Sequence, residues 1–585
     1  MSSFEMRIGL EVHCELKTRT KLLCSCRNSF GDEPGANCCP VCTGYPGALP
    51  SLNKSAVIMA VTAALALNCE PSEMCAWDRK NYFYPDLPKA WQTTQYFMPI
   101  AREGEFFFSS GGEKKSVGIA RIQLEEDAGK LVHRGGVTTI DFNRCGVPLI
   151  EIVTRPSLSS PKEAADALSA IKTAMKYAGV SDVKMQEGSL RCDVNLSVKK
   201  SGAEWGERTE AKNLASIKAV EKYCEYEARR QISLLQSGAE VERCTMRWDD
   251  ERQTASVMRR KESAPDYRYI GEPDIPPVII SKRLVERLKA AMPPTKEQRV
   301  ARYTDEYSLP GYDAEILCQD KAVSDLFEAA VAAGMPPKSA SNVIMTEILQ
   351  LAKQPGSEDY SVRIGGKTLY DVWNMVKKGE ISSVAAKRKL LPALWASDES
   401  AALLAEKLNI RRLDESQTYE AAEKVIAKNE KAVREYLNGS EKVFFYLVGQ
   451  VMKVTEGNCD PDVVHRFIKE ILNQNRRKTM KVYRTEYPNP QFERENWLSL
   501  NGKWEFEIDN ARVGMGKKYW LRSSLDGEIN VPFCPESKLS GVGNTDFMSV
   551  VWYKKTVTVP ESMRGKRVFL HFGAVDWKST VFING

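Results

Sequence analysis

IGLEVHCEL, residues 8–16, alternates apolar and polar side chains along its length. That period of two marks a strand with one face in a core. Positions i and i+2 of a strand share a face, so Glu11 and His13 can converge on one point. A lone Glu/His pair is usually structural. This one has company: LEEDAGK supplies Glu125, Glu126 and Asp127, and PLIEIV places Glu151 inside an apolar run. A carboxylate there is costly to bury unless it is paired or bound to a metal. Several carboxylates with one imidazole suit Mg²⁺ or Mn²⁺ and phosphate chemistry better than a structural zinc. The residues alone leave both readings open, a packed polar cluster and a metal site.

The totals set the frame. The chain has 585 residues, 43% hydrophobic and 27% charged, a globular composition long enough for several domains. A net charge of +6 neither demands nor excludes nucleic acid. The start, MSSFEMRIGL, lacks the basic and apolar regions of a signal peptide. The longest apolar run, AVIMAVTAALAL at 56–67, is too short to span a bilayer and reads as a buried helix. Fifteen cysteines, an odd number, point to a reducing cytoplasm with thiols as ligands or core residues.

Residues 1–290 mix strands with helices. SPKEAADALSAIKTAMKYAG, from 160, reads as a helix capped by Ser160, with Pro161 in its first turn, Glu163 completing a capping box and Gly179 as its stop. Residues 216–238 read as another, with Ile217, Val220, Cys224 and Ala228 on one stripe. From about 290 to 474 the pattern is helical almost throughout. At 475 the texture changes. NRRKTMK has no apolar face, and TEYPNPQ cannot continue a helix. Beyond it VWYKKTVTVP alternates, and KRVFLHFGAVDWKSTVFING holds two strand-like runs. The expected fold class is multidomain: an α+β domain, then all-α domains, then an all-β segment.

CSCRNSFGDEPGANCCPVC, residues 24–42, carries two close thiol pairs, Cys24/Cys26 and Cys39/Cys42. Two pairs separated by a loop bearing Gly and Pro suit tetrahedral zinc. Buried or free thiols are the plain alternative. A redox C-x-x-C is another, but it would leave the first pair unexplained. Cys38 is the spare. DRKNYFYPDLPKAWQTTQY, residues 78–96, mixes bases, acids and aromatics and lines either a polar cavity or a domain edge. The charged stretches 185–198 and 259–277 read equally as pocket or surface. GGKT at 365–368 is no phosphate loop, because Ser361 stands where the first glycine is required. Neither G-x-S-x-G nor H-E-x-x-H occurs.

Taken in order, IGLEVH, CSC…CPVCTGYPGALPSLN, DRKNYFYPDLPK, LEEDAGK, DFNRCGVPLIEIV, EGSLRCDVN and DYRY..EPD resemble the B subunit of the glutamine-dependent aspartyl/glutamyl-tRNA amidotransferase. The resemblance runs from about 5 to 474. It implies an α+β cradle, kinase-like catalytic domain at 1–290, a helical domain at 291–405 and a helical tRNA-binding tail domain at 406–474. It also implies an activity. ATP phosphorylates the side-chain carboxylate of misacylated Glu-tRNA(Gln) or Asp-tRNA(Asn), and ammonia from an A subunit then displaces phosphate. On the family pattern Glu11, His13, Glu126 and Glu151 form the Mg²⁺/ATP centre, with Glu125 a further catalytic candidate. Lys80 and Lys89 match lysines of the ammonia path. Cys24, Cys26, Cys39 and Cys42 match a zinc set that only some members carry, which reads as a structural clamp. Expected partners are the A and C subunits and misacylated tRNA, in the cytoplasm and without a membrane. Departures from the pattern are Glu15 in place of the usual Gln, Met246 near a frequent Arg, Pro265 for His, and Ile270–Gly271 for Phe-Pro.

After a linker at 475–482, residues 483–585 resemble part of the N-terminal jelly roll of family 2 glycoside hydrolases. The catalytic glutamates of that family sit on a later barrel domain, so no glycosidase activity is expected. Met480 could be an old start codon of a joined gene, and Asn584–Gly585 signals a hairpin with no return strand. A carbohydrate-binding protein working through this segment is the alternative reading.

Overall fold

The strand read at 8–16 is the middle of the largest sheet. A computed structural model describes residues 4–260, 267–353, 360–437, 440, 442–478, 484, 486, 487, 491, 493–576 and 578–585. In chain order the first strands are β1 (Phe4–Glu15), β2 (Cys69–Pro71), β3 (Met74–Cys75), β4 (Asp78–Asn81), β5 (Trp91–Thr94), β6 (Ala101–Ser110) and β7 (Glu113–Glu126). Then come β8 (Lys130–Arg134), β9 (Val137–Asp141), β10 (Pro148–Thr154), β11 (Leu190–Lys200), β12 (Thr209–Leu214), β13 (Cys244–Asp249) and β14 (Thr254–Arg260). Two short strands follow, β15 (Ile270–Gly271) and β16 (Val278–Ile279).

Nine of these strands form one sheet in the order β14-β13-β12-β11-β1-β10-β7-β6-β2. All its pairings are antiparallel except β12 with β13. One face is apolar: Ile8, Leu10, Val12 and Cys14 of β1, Ile150 and Ile152 of β10, and Cys192, Val194 and Leu196 of β11 are fully buried. Helices α1 (Lys54–Ala66), α2 (Pro161–Tyr177) and α3 (Ile217–Gln236) supply the rest of that core with Ala60, Val61, Leu168, Ile171, Val220 and Cys224. The opposite face of β1 carries Glu11, His13 and Glu15, as alternation requires. A small sheet, β15-β4-β5, brings β5 against β7.

The helix signals act locally. Asn53 caps α1 through its side chain, accepting from the Ser55 N–H at 2.9 Å. Ser160 caps α2, accepting from the Glu163 N–H at 3.1 Å. The returning half of the expected capping box is shifted by one residue: Glu163 accepts from the Ser159 N–H and hydroxyl, both at 2.8 Å. Gly179, at φ +73°, follows the helix end.

The described residues fall into two units. One runs to Trp373 and includes Leu394–Asp398; the other comprises Asn374–Ala393 and Glu399–Gly585. Among the described residues, every regular element from Lys282 to Lys478 is helical. In the first unit, helix Lys321–Ala332 packs at the start of helix Gly366–Lys377. A Cβ on Gly366 would stand 2.4 Å from the Ala329 carbonyl carbon and 2.5 Å from Ala330 N. Gly366→Ala should therefore overpack this crossing and destabilise it by about 1–3 kcal/mol or more. A lowered thermal midpoint checks this, and an unchanged one would contradict it. In the second unit a helical core gathers Ala422, Val425, Leu447, Val451, Ile468 and Leu472. Its helix Pro461–Lys478 continues beyond residue 474, where the sequence pattern places its end. Met480 lies outside the described residues.

The C-terminal segment forms a three-stranded antiparallel sheet, β17 (Gly502–Ile508) flanked by β18 (Gly527–Val531) and β19 (Val551–Lys554). Here the sequence reading needs correcting. VWYK forms a strand, but neither run of KRVFLHFGAVDWKSTVFING does, and no strand follows Lys554 among the described residues. A strand is stable only where a ladder partner receives its backbone groups, and side-chain alternation does not supply one. Phe569 and Ile583 are 67% and 72% exposed. A jelly roll is thus not established for 483–585; the segment is a small sheet region.

Candidate active site

The pairing of β1 with β10 and β11 assembles a polar cluster from three distant stretches. His13 lies opposite Glu151 on one side and Arg191 on the other; Glu11 lies opposite Val153 and Asp193. His13 Nε2 stands 3.6 Å from Glu11 Oε1 and 3.8 Å from Glu151 Oε2. One ligand atom from each of Glu11, His13 and Glu151 lies within 4.8 Å of the other two. Glu125 joins through a carboxyl–carboxyl hydrogen bond to Glu151 and is held by Gln92 Nε2 at 2.8 Å.

The electrostatics of this cluster call for a cation. Burial, then the Glu125 charge, pushes Glu151 up to about 7. Burial, then Glu151, raises Glu11; burial also raises Glu125. Lys80 reaches toward them. Burial alone would lower its pKa, but Glu125 and Glu151 hold it above the usual lysine range. Its Nζ lies 4.9 Å from the Tyr267 ring centroid. Even with Lys212 acting on Glu11 and Arg121 on Glu151, all three carboxyls stay above their ordinary range. Ligand atoms about 2.1 Å from a Mg²⁺ ion would be about 3.0 Å apart as neighbours and about 4.2 Å apart across it. The observed 3.6 and 3.8 Å lie between those two spacings, so side-chain shifts of under about 1 Å would bring the three groups onto one divalent cation.

Glu126 is placed elsewhere. The family pattern groups it with Glu11, His13 and Glu151 and ranks Glu125 behind it; the structure brings Glu125 to that cluster instead. Neighbours on a strand point to opposite sides, so both could not enter from β7. Glu126 pairs with Lys89 and accepts from the Thr93 N–H at 3.0 Å. The two expected ammonia-path lysines are therefore dissimilar: Lys80 faces the acid cluster, and Lys89 is tied to Glu126. The backbone of Gly44, at φ +72°, rests on Lys89, whose Cγ would be 2.7 Å from a Cβ there.

The cysteine window closes on itself. Ligand atoms of Cys24, Cys26, Cys39 and Cys42 all lie within 4.8 Å of one another. Four sulfurs about 2.3 Å from a tetrahedral zinc would be about 3.8 Å apart. Cys39 and Cys42 are 3.9 Å apart. A hydrogen bond from Cys24 holds the Cys42 thiol well below its ordinary range and raises Cys24 in return. The set can hold a metal ion. Cys38 stays outside it, 3.9 Å from Asn143 Oδ1. None of the fifteen cysteines forms a disulfide.

Several residues around the cluster are not signalled by the sequence. Asp193 is buried beside Glu11, accepting from Lys212 at 3.2 Å and the Asn213 N–H at 2.7 Å. Arg191 donates to Asp127 at 2.7 Å, and Arg144 lies 3.7 Å from the same carboxylate. Glu15, the departure from the family pattern, is pushed up to about 8 by burial and then by Asp127. EGSLRCDVN holds a partial signal, since Arg191 and Asp193 alternate with buried Leu190 and Cys192, but only strand pairing brings them to His13. The stretch 78–96 is joined to EPD by a two-pronged ion pair, with Arg79 Nε 2.8 Å and Nη2 2.7 Å from the Glu272 carboxylate. Pro265 lies outside the described residues.

A nine-stranded sheet with an acidic, metal-fitting face, in a chain with a four-cysteine loop, defines a catalytic domain that a family model matches: "GatB/GatE catalytic domain" over residues 6–286. A second model, "GatB domain", matches 325–472. Curated relatives, each named as the B subunit of an aspartyl/glutamyl-tRNA(Asn/Gln) amidotransferase, align over nearly their whole length. The protein of Caldicellulosiruptor bescii is 45% identical over 479 residues, 80% of this chain and 99% of its own. That of Carboxydothermus hydrogenoformans is 43% identical over 81% of this chain and 99% of its own. The chain belongs to this family, the B subunits of tRNA-dependent amidotransferases, which are glutamine-dependent carbon–nitrogen ligases. The alternative, a carbohydrate-binding protein, finds no support in these relatives. No helix among the described residues is long and apolar enough to cross a membrane.

Proposed function

We propose that the face of β1, β10 and β7 is where ATP phosphorylates the side-chain carboxylate of Glu-tRNA(Gln), Asp-tRNA(Asn) or both. The observation carrying this reading is the convergence of half-buried Glu11 and His13 with buried Glu125 and Glu151. A carboxylate is a poor electrophile. Transfer of the γ-phosphoryl group to it releases ADP and leaves an acyl phosphate. Ammonia then attacks the acyl carbon, the C–O bond to phosphate breaks, and the amide and inorganic phosphate leave. Glu11, His13 and Glu151 would hold Mg²⁺, with Glu125 hydrogen-bonded to Glu151; a bound ion screens the phosphate charges. Lys80 carries positive charge to the edge of this cluster. It and Lys89 are the lysines we place on the ammonia path. Glu126 acts there through Lys89.

Cys24, Cys26, Cys39 and Cys42 would hold a structural zinc. The protein works with A and C subunits in the cytoplasm, in keeping with the names its relatives carry. The helical stretches 291–405 and 406–474 form separate domains, the second contacting tRNA. Such binding weakens steeply with salt where Lys and Arg neutralise phosphates. Reconstitution with A and C subunits, glutamine, Mg²⁺ and misacylated tRNA tests the reading. Amide should form only when ATP is added; amide formed without ATP would contradict it.

A further inference from the structure

Lys21 lies inside the protein with none of its side chain exposed. Its Nζ donates toward Cys42 Sγ at 3.6 Å and to the Phe142 carbonyl at 3.3 Å. No carboxylate forms an ion pair with it among the described residues. Its own backbone is tied into the cysteine loop, the Lys21 N–H donating to the Cys26 carbonyl at 2.9 Å and its carbonyl accepting from Asn53 Nδ2 at 3.1 Å. A buried ammonium without a counter-ion is costly, and a carbonyl oxygen offers only a dipole. Four thiolates around a divalent ion carry two excess negative charges. The unbalanced cation and the unbalanced cage therefore account for each other.

We propose that Lys21 is the charge partner of the metal-bound thiolates and sets how firmly this loop keeps its metal. The inference rests on the zinc reading of the four cysteines. Lys21 touches one ligand, Cys42, and reaches the others through the shared charge of the cage. Its ammonium places a positive charge 3.6 Å from the Cys42 sulfur, where it offsets part of the negative charge of a loaded cage. Partners one shell beyond the ligands typically change metal affinity about 10- to 100-fold.

The test uses the full chain. Zinc per chain and the half-time of zinc loss to a chelator are measured for wild type, Lys21→Met and Lys21→Arg. Lys21→Met should lose zinc at least about tenfold faster, and Lys21→Arg should recover much of the difference. Thermal midpoints of the metal-free proteins serve as the control. Methionine keeps the length of the buried stem without its charge, so the metal-free midpoint should stay level or rise. A purely structural role would instead lower that midpoint and leave zinc retention unchanged. Zinc retention by Lys21→Met at the wild-type rate overturns the inference. A wild-type chain that takes up no zinc overturns the metal reading, and the inference with it.

Discussion

Glu151→Ala should reduce ATP-dependent amide formation by about 10³-fold, the equivalent of about 4 kcal/mol of transition-state stabilisation. The carboxylate faces His13 and shares a hydrogen bond with Glu125, so its loss removes one wall of the proposed cation site. Glu151→Gln should be nearly as inactive, because an amide keeps the shape but not the charge. The two variants also carry a stability signature. Glu151 is 7% exposed, and burial followed by the Glu125 charge raises its pKa to about 7. A carboxyl whose folded pKa lies above its unfolded one stabilises the fold while protonated and loses that contribution as pH rises through about 7. Without divalent metal, Glu151→Gln should therefore be more stable than wild type at about pH 8, by on the order of 1–2 kcal/mol. Well below the ordinary carboxylate range, at about pH 3–4, the two should converge, because the carboxyl is then protonated in both the folded and the unfolded state. Denaturant unfolding at both pH values, beside a transamidation assay, checks this. Full activity in Glu151→Ala would remove Glu151 from the site.

If the cysteine loop holds zinc as proposed, stripping it should cost stability first. If free zinc stands at about a thousand times its Kd, its loss removes about 4 kcal/mol, a midpoint shift of roughly 5–10 °C. Cys42→Ser should reproduce most of this, since Cys42 is the buried member of the four and the hydrogen-bond partner of Cys24, Cys39 and Lys21. Below the lowered midpoint, ATP-dependent turnover should persist, because none of the four thiols belongs to the acid cluster. The loop reaches the chemistry only through packing, with Gly44 seated on Lys89 and Lys89 paired with Glu126. Calorimetry with and without chelator, together with activity at a temperature below both midpoints, separates the two effects. Equal loss of activity and of fold at all temperatures would fit; loss of activity in a still-folded, zinc-free protein would move the cysteines into the chemistry.

The features legible in the sequence are those set by near neighbours. Strand alternation at 8–16, the Ser160 cap and the closure of two thiol pairs each depend on a few residues of chain. Glu151 stands out because a carboxylate inside PLIEIV needs a partner, and the fold supplies His13 and Glu125. What escapes the sequence depends on register across long separations. Asp193 and Arg191 reach Glu11 and His13 only because β11 pairs with β1 from far along the chain. The order of Glu125 and Glu126 turns on which of two adjacent residues shares a face with Glu151. At 566–585 two strand-like runs are present, but a strand-like run alone supplies no ladder partner.

Phosphorylation of the substrate carboxylate before its amidation leaves a record in its oxygen atoms. Misacylated tRNA carrying heavy oxygen in both side-chain carboxylate positions is converted by the reconstituted complex with ATP, Mg²⁺ and glutamine. One labelled oxygen per turnover should appear in inorganic phosphate, with the other retained in the amide. Phosphate free of label would mean that ATP is consumed in some other step and that this face does not activate the carboxylate.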